Sequence, residues 1–159
     1  MNDRRFFSKF YFVLLTCLLI LPCSKEVNGA DWMWYGKSNG LLFFYDAENT
    51  TFLRHNVNQV WIASIPESEK ERIRHIQNEK NAGLAMPENW GFLKTLYEIN
   101  CKNKTSTLLE SRSYNIKDVL IGTHIATNPS PTHISPKTMM EELYKNICRK
   151  TENRENGKD

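Results

Sequence analysis

No apolar run in this 159-residue sequence reaches the roughly 20 residues that a permanent membrane-spanning helix needs. The longest, residues 10–21, stops at about a dozen, which excludes an ordinary transmembrane anchor as its economical reading. Strong charge of one sign is missing as well. The 21 basic residues exceed the 18 acidic ones by three, and setting residues 1–30 aside removes four basic and two acidic residues, so the balance falls to +1. A basic nucleic-acid footprint is therefore not expected. Cysteine is sparse and never appears as Cys-x-x-Cys or Cys-x-x-Cys-His, which removes thioredoxin-like redox chemistry and covalent haem attachment. There is no Gly-x-Ser-x-Gly elbow, phosphate loop or dinucleotide fingerprint. His55, His75, His124 and His133 lack the i/i+4 or cysteine-paired spacing of a zinc site. Asp46 and Glu48 share a polar turn with no further acidic group placed to complete an acid/base pair. No catalytic residue, metal ligand or cofactor is assigned, and the chain is not expected to be an enzyme.

What is present begins at the N-terminus. Arg4, Arg5 and Lys9 precede the apolar run, and Gly29-Ala30 follow it, the order of a secretory signal peptide. The expected division is a signal peptide over 1–30, one domain over 31–148 and a charged flexible tail over 149–159. Cys23 offers a second ending, lipidation of the mature N-terminus, but Ile20-Leu21-Pro22 in front of it is a poor lipidation signal. The expected location is the periplasm or the cell surface, with membrane contact only if Cys23 carries lipid. Sequons at Asn49 and Asn103 matter only in a pathway that glycosylates asparagine.

Six strands are legible. The aromatic opening Trp32-Met33-Trp34-Tyr35 leads through Asn39-Gly40, a hairpin signal, into Leu41-Leu42-Phe43-Phe44-Tyr45. Residues 57–63 make the third. Ser64 and Glu67 have capping-box spacing before a charged helical insertion over 67–80, whose only large apolar residues are Ile73 and Ile76. In the next strand Leu93, Tyr97, Ile99 and Cys101 alternate onto one face. Residues 105–114 form a fifth strand of ambiguous facing, and Val119, Ile121, Thr123 and Ile125 define the inner face of a sixth, with His124 opposite. A proline-punctuated crossing over 128–136 then leads to a helix. Ser135 can cap it with Pro136 in the first position, or Thr138 and Glu141 can cap it one turn later.

Met140, Leu143, Tyr144, Ile147 and Cys148 recur at helical spacing on one face. Cys101 thus sits on the apolar side of a strand and Cys148 on the buried stripe of a helix. An even pair in an exported chain is expected to form a disulfide. The predicted fold class is α+β: an antiparallel sheet of about six strands, a C-terminal helix disulfide-tethered to one face, and the charged helical insertion.

The positive functional signal is aromatic. Trp32, Trp34, Tyr35, Phe43, Phe44, Tyr45 and Trp61 crowd the first three strands. One helix covers only one face of a sheet, so half of such a run is left for a second use. Trp32, Trp34, Tyr35, Phe44 and Trp61 are taken as the candidate binding surface for a protein partner or for a second copy in a homodimer. The alternative is a carrier that holds a small apolar or planar ligand with the same aromatics, in the concavity under the helix.

At these residues the chain resembles the surface-adhesin protein E family of bacterial envelope proteins. The shared pattern is Trp32 and Trp34, Phe44-Tyr45-Asp46, Val60-Trp61, Tyr97-x-x-x-Cys101, Tyr114, and Ile134-Ser135-Pro136 followed by Met140-x-x-Leu143-x-x-x-Ile147-Cys148. The resemblance implies an antiparallel sheet of about six strands with a disulfide-tethered C-terminal helix on its concave face. It also implies a lipid-anchored adhesin that binds host matrix and serum proteins and can dimerise. The weak lipidation signal and the 67–80 insertion depart from the pattern, and no ligand-binding residue of the family maps onto this chain.

Overall fold

Asn39 and Gly40, with φ of 50° and 76°, supply the two left-handed residues that a tight hairpin turn requires between β1 (Trp32–Ser38) and β2 (Leu41–Asp46). The computed structural model describes residues 30–54 and 56–155. The expectations for the signal peptide, for Cys23 and for His55 lie outside those residues, as does the end of the charged tail. Asp46 closes β2. Its carboxylate accepts hydrogen bonds from the Asn49 backbone N–H at 3.0 Å and from Asn49 Nδ2 at 2.8 Å. That compact turn leads into β3 (Thr51–Arg54), a strand the sequence does not announce, and then β4 (Val57–Pro66). Strands β2 and β3 lie end to end along one edge of β4, with Tyr45 opposite Ile62 and Thr51 opposite Gln59.

Strands β5 (Trp90–Asn100), β6 (Thr105–Asn115), β7 (Leu120–Ile125) and β8 (Thr132–His133) complete an antiparallel sheet in the order β1-β2-β4-β5-β6-β7, with β8 joined to β6. Among the described residues the eight strands contain the six expected ones and add β3 and β8. The ambiguous facing of β6 has a physical cause. Leu96 pairs with Glu110 but Tyr97 pairs with Leu108, so Leu109 is an extra residue that resets the alternation. The facing expected for β7 is corrected. Thr123 and Ile125 stand opposite Arg112 and Glu110, away from the helix, and every residue of β7 is exposed, Ile125 by 66%. It is an edge strand beyond the reach of the helix.

Helix α1 (Glu69–Asn81) is the charged insertion. Its cap is Ser68, whose hydroxyl accepts from the Glu71 N–H at 3.3 Å, rather than Ser64. Pairing of Leu41 with Pro66 keeps residues 64–66 in the strand, and the ladder prevails over the earlier capping signal. Arg72 fastens the helix by donating to the carbonyls of Glu88 at 2.7 Å and Trp90 at 2.8 Å. The Arg72 hydrogen bond also holds the Glu69 carboxyl below its ordinary range. His75 packs against Trp90 at 4.8 Å between ring centroids, and Ile76 is buried while Ile73 is exposed. The helix therefore covers the sheet end that carries Gly40 and Trp90, with Glu71 laid against Gly40, and with Glu69, Lys70 and Lys80 turned to solvent.

Helix α2 (Met139–Glu155) starts at the later of the two caps. Thr138 Oγ1 accepts from the Glu141 N–H at 3.2 Å, and the Glu141 carboxylate accepts from the Lys137 N–H at 2.7 Å and from Lys104 Nζ at 3.1 Å. These bonds hold the Glu141 carboxyl below its ordinary range, the Lys137 amide contributing most. The helix continues past Cys148 to Glu155, so the charged segment begins helical. Its stripe packs Leu143, Ile147 and Cys148 onto Tyr35, Tyr45, Val60, Ile62 and Ile99 of the sheet. Cys101 and Cys148 form a disulfide with their Cα atoms 5.5 Å apart. One helical turn earlier, Tyr144 donates its hydroxyl to the Cys101 carbonyl at 3.0 Å. Two consecutive turns of α2 are thus fixed to the same end of β5.

Candidate functional site

Cross-strand register sorts the aromatic run onto two faces. Phe43 and Tyr45 point with Tyr35 into the helix-covered core, where Tyr35 lies 6.0 Å from Phe43 and 6.1 Å from Tyr45 between ring centroids. Burial pushes the Tyr35 phenol pKa well up, as it does that of Tyr97 in the same layer. Tyr35 is only 8% exposed and is a core residue, separate from the surface on which the other four candidates meet.

Trp34 stands opposite Phe44, Phe44 opposite Ala63, and Ala63 opposite Lys94. Trp61 stands opposite Leu96. These residues lie on the face away from α2, because Tyr45, Ile62 and Val60, their neighbours along the strands, belong to the core beneath the helix. Trp34 is 61% exposed, and Trp32, Phe44 and Trp61 are half-buried. The structure brings together Trp32, Trp34, Phe44 and Trp61 of the sequence candidates.

Two cations are interleaved with these rings. Arg112 lies 4.6 Å from the Trp61 ring centroid and donates to Glu110 at 2.5 Å. That hydrogen bond raises the guanidinium pKa. The Lys94 ammonium is 4.9 Å from the Tyr114 centroid, 5.5 Å from Trp32 and 5.6 Å from Phe92, and Phe92 stacks on Tyr114 at 4.8 Å and 4°. Trp32 reaches Lys94 although β2 and β4 lie between their strands, so the sheet curls. Sequence reasoning missed Phe92, Lys94, Arg112 and Tyr114. The even-position alternation of β5 carried part of this signal by placing Lys94 opposite the core.

A cavity of about 330 Å³ opens on this face, lined by Trp32, Phe44, Ala63, Ile65, Phe92, Lys94 and Asp118, and no residue of either helix lines it. On the helix side, Leu143 and Ile147 pack onto the sheet, and open space remains beside the first turn of α2. A larger hollow of about 520 Å³ lies at the margin of β6 and β8, where Tyr97, Leu108, His133 and Met140 are joined by hydroxyl-bearing loop residues. None of the open-face aromatics lines it. Among the described residues no group of three or more His, Cys, Asp or Glu is arranged to hold a metal ion, and no helix is long and apolar enough to cross a membrane. Both carboxylate oxygens of Asp46 are engaged by Asn49.

The architecture is an antiparallel, curled sheet bearing a disulfide-docked C-terminal helix on one face and an aromatic–cationic surface on the other. No protein-family profile and no curated protein sequence matches the chain. Solved structures of protein E from Haemophilus influenzae are similar to it. A second crystal form aligns at 11% identity, covering 74% of this chain and 94% of that one, with a TM-score of 0.47. Protein E from a non-typeable strain aligns at 12% identity over 79% of each chain, also with a TM-score of 0.47.

Proposed function

We propose that this chain is exported to the bacterial envelope, with residues 31–148 as its mature domain, and binds a protein partner through the open face of the sheet without catalysing a reaction. The observation that carries the reading is the segregation of Trp32, Trp34, Phe44 and Trp61 onto the face that α2 leaves uncovered. A tryptophan as exposed as Trp34 contributes little to folding, whereas an aromatic anchor of this size is the commonest hot spot of a protein interface. The face would serve an extracellular or envelope partner, or a second copy of the chain. The test pairs localisation with a binding screen of purified matrix and envelope proteins against the immobilised mature chain. At least one should bind, and Trp34→Ala should weaken it by about 30-fold or more, as expected for a hot spot. A chain confined to the periplasm that binds no protein sinks the adhesion reading.

The open-face cavity favours a second reading, a carrier of a small, largely apolar ligand. Its volume of about 330 Å³ is at the lower end of small-molecule sites. In this reading the ligand sits against Phe44 and Phe92, outside the helix-covered core.

A further inference from the structure

We infer that the open-face cavity selects small amphipathic anions: an apolar body bearing one carboxylate-like group, which Lys94 receives. The inference rests on the second reading above and adds the charge of the ligand to it. Its physical basis is the composition of the cavity. Trp32, Phe44, Ala63, Ile65 and Phe92 supply apolar wall, while Lys94 and Asp118 are the ionisable groups that line it among the described residues. Register explains why there is space. Ala63 stands in line between Phe44 on one side and Lys94 on the other, so the smallest side chain of the row makes a floor between two large walls.

Four other lysines of the structure carry ion pairs that Lys94 lacks. Lys37, Lys80, Lys104 and Lys145 each pair with a glutamate. Lys94 has three aromatic rings around it and, among the described residues, no carboxylate within ion-pair distance. Aromatic faces orient an ammonium and attract it, but they leave its charge uncompensated and its N–H donors able to serve an anion. Asp118 does not cancel that charge. It sits in the β6–β7 turn at φ 59°, where its N–H donates to the Asn115 carbonyl at 3.1 Å, and it makes no ion pair with Lys94. Its effect on a bound anion is repulsion from the rim. The nearest cation on the neighbouring strand, Arg112, is already engaged by Glu110. Lys94 is thus the group placed to receive an anionic head while the apolar body covers Ala63.

A matched pair of probes separates charge selection from apolar binding: 1-anilinonaphthalene-8-sulfonate and its neutral counterpart, N-phenyl-1-naphthylamine. Both should bind the folded, oxidised mature chain, with energy transfer from tryptophan, and the anion should bind more tightly. Lys94→Met should weaken the anionic probe by about tenfold and leave the neutral one within twofold, the scale of one lost charge–charge contact. Asp118→Asn, which also suits a left-handed turn position, should act in the opposite direction and tighten the anion by roughly threefold through loss of repulsion. Ala63→Val, a substitution compatible with a strand, should weaken both probes by filling the floor. Equal binding of the two probes, or an anion affinity that Lys94→Met leaves unchanged, overturns the anion inference while the apolar-carrier reading stands. Failure of the neutral probe to bind the wild-type chain overturns the carrier reading and this inference with it.

Discussion

Replacing both cysteines, Cys101→Ala with Cys148→Ala, should lower stability by about 4 kcal/mol, the chain-entropy value for closing a 47-residue loop. For a domain near 120 residues that corresponds to a fall in Tm of roughly 12–20 °C. Alanine is the appropriate replacement because Cys148 is buried, and serine there would add the cost of an unsatisfied hydroxyl. The damage should be local before it is global. Val60, Ile62 and Ile99 still pack among the central strands, whereas α2 keeps its apolar stripe, the Tyr144 hydroxyl bond and the Glu141–Lys104 ion pair to hold it down. Amide exchange in residues 143–149 should accelerate more than exchange in β4 and β5. Thermal unfolding checks the magnitude, and a double variant within about 2 °C of the wild type would show that the bridge contributes little.

Truncating Leu143 should have a comparable effect by a different route. Leu143 is completely buried on the α2 stripe, and Leu143→Ala in such a site costs about 2–5 kcal/mol in lost transfer energy and residual cavity. Ile73→Ala on the exposed side of α1 should remain within about 0.5 kcal/mol of the wild type and serves as the control. Chemical denaturation of the two variants provides the comparison. A loss below about 1 kcal/mol for Leu143→Ala would mean that the site collapses around the smaller side chain. Combined with the double cysteine variant, the loss should be less than additive, because both changes release the same helix from the same sheet.

The elements that were legible in the sequence share one property: their side-chain period survives along their length. Alternation in β5 placed Cys101 toward the core, and helical spacing from Met140 to Cys148 placed the second cysteine on the buried stripe, so the disulfide followed from two independent periods. Legibility failed where tertiary pairing changes the period or supplies burial that the local pattern does not encode. Leu109 interrupts β6, and only the partner strand reveals the bulge. The apolar alternation of β7 resembles a buried face, yet burial depends on the reach of α2, which a strand cannot signal. Two successive Ser-x-x-Glu patterns, Ser64 to Glu67 and Ser68 to Glu71, stand at the start of α1, and the ladder between β2 and β4 selected the later one.

The candidate site was half legible for a related reason. The clustering of Trp32, Trp34, Phe44 and Trp61 is a local property of the neighbouring strands β1, β2 and β4. Their partners Phe92, Lys94, Arg112 and Tyr114 come from β5 and β6, and meet them only because the sheet curls. Tyr35 went to the core by plain alternation: Trp34 faces outward opposite Phe44, and the next residue of the strand faces the other way, beside Phe43 and Tyr45.

The two faces divide the work. The helix-covered face stabilises the fold through Leu143, Ile147 and the disulfide, and the open face is the one proposed to recognise a partner. Site-specific photocross-linking in the native cells tests that division most directly, with Trp34 replaced by p-benzoylphenylalanine in one strain and the exposed Lys145 on the outer side of α2 replaced in another. The account predicts a discrete protein adduct from position 34 and none from position 145. An adduct confined to position 145, or equal adducts from both, would contradict it.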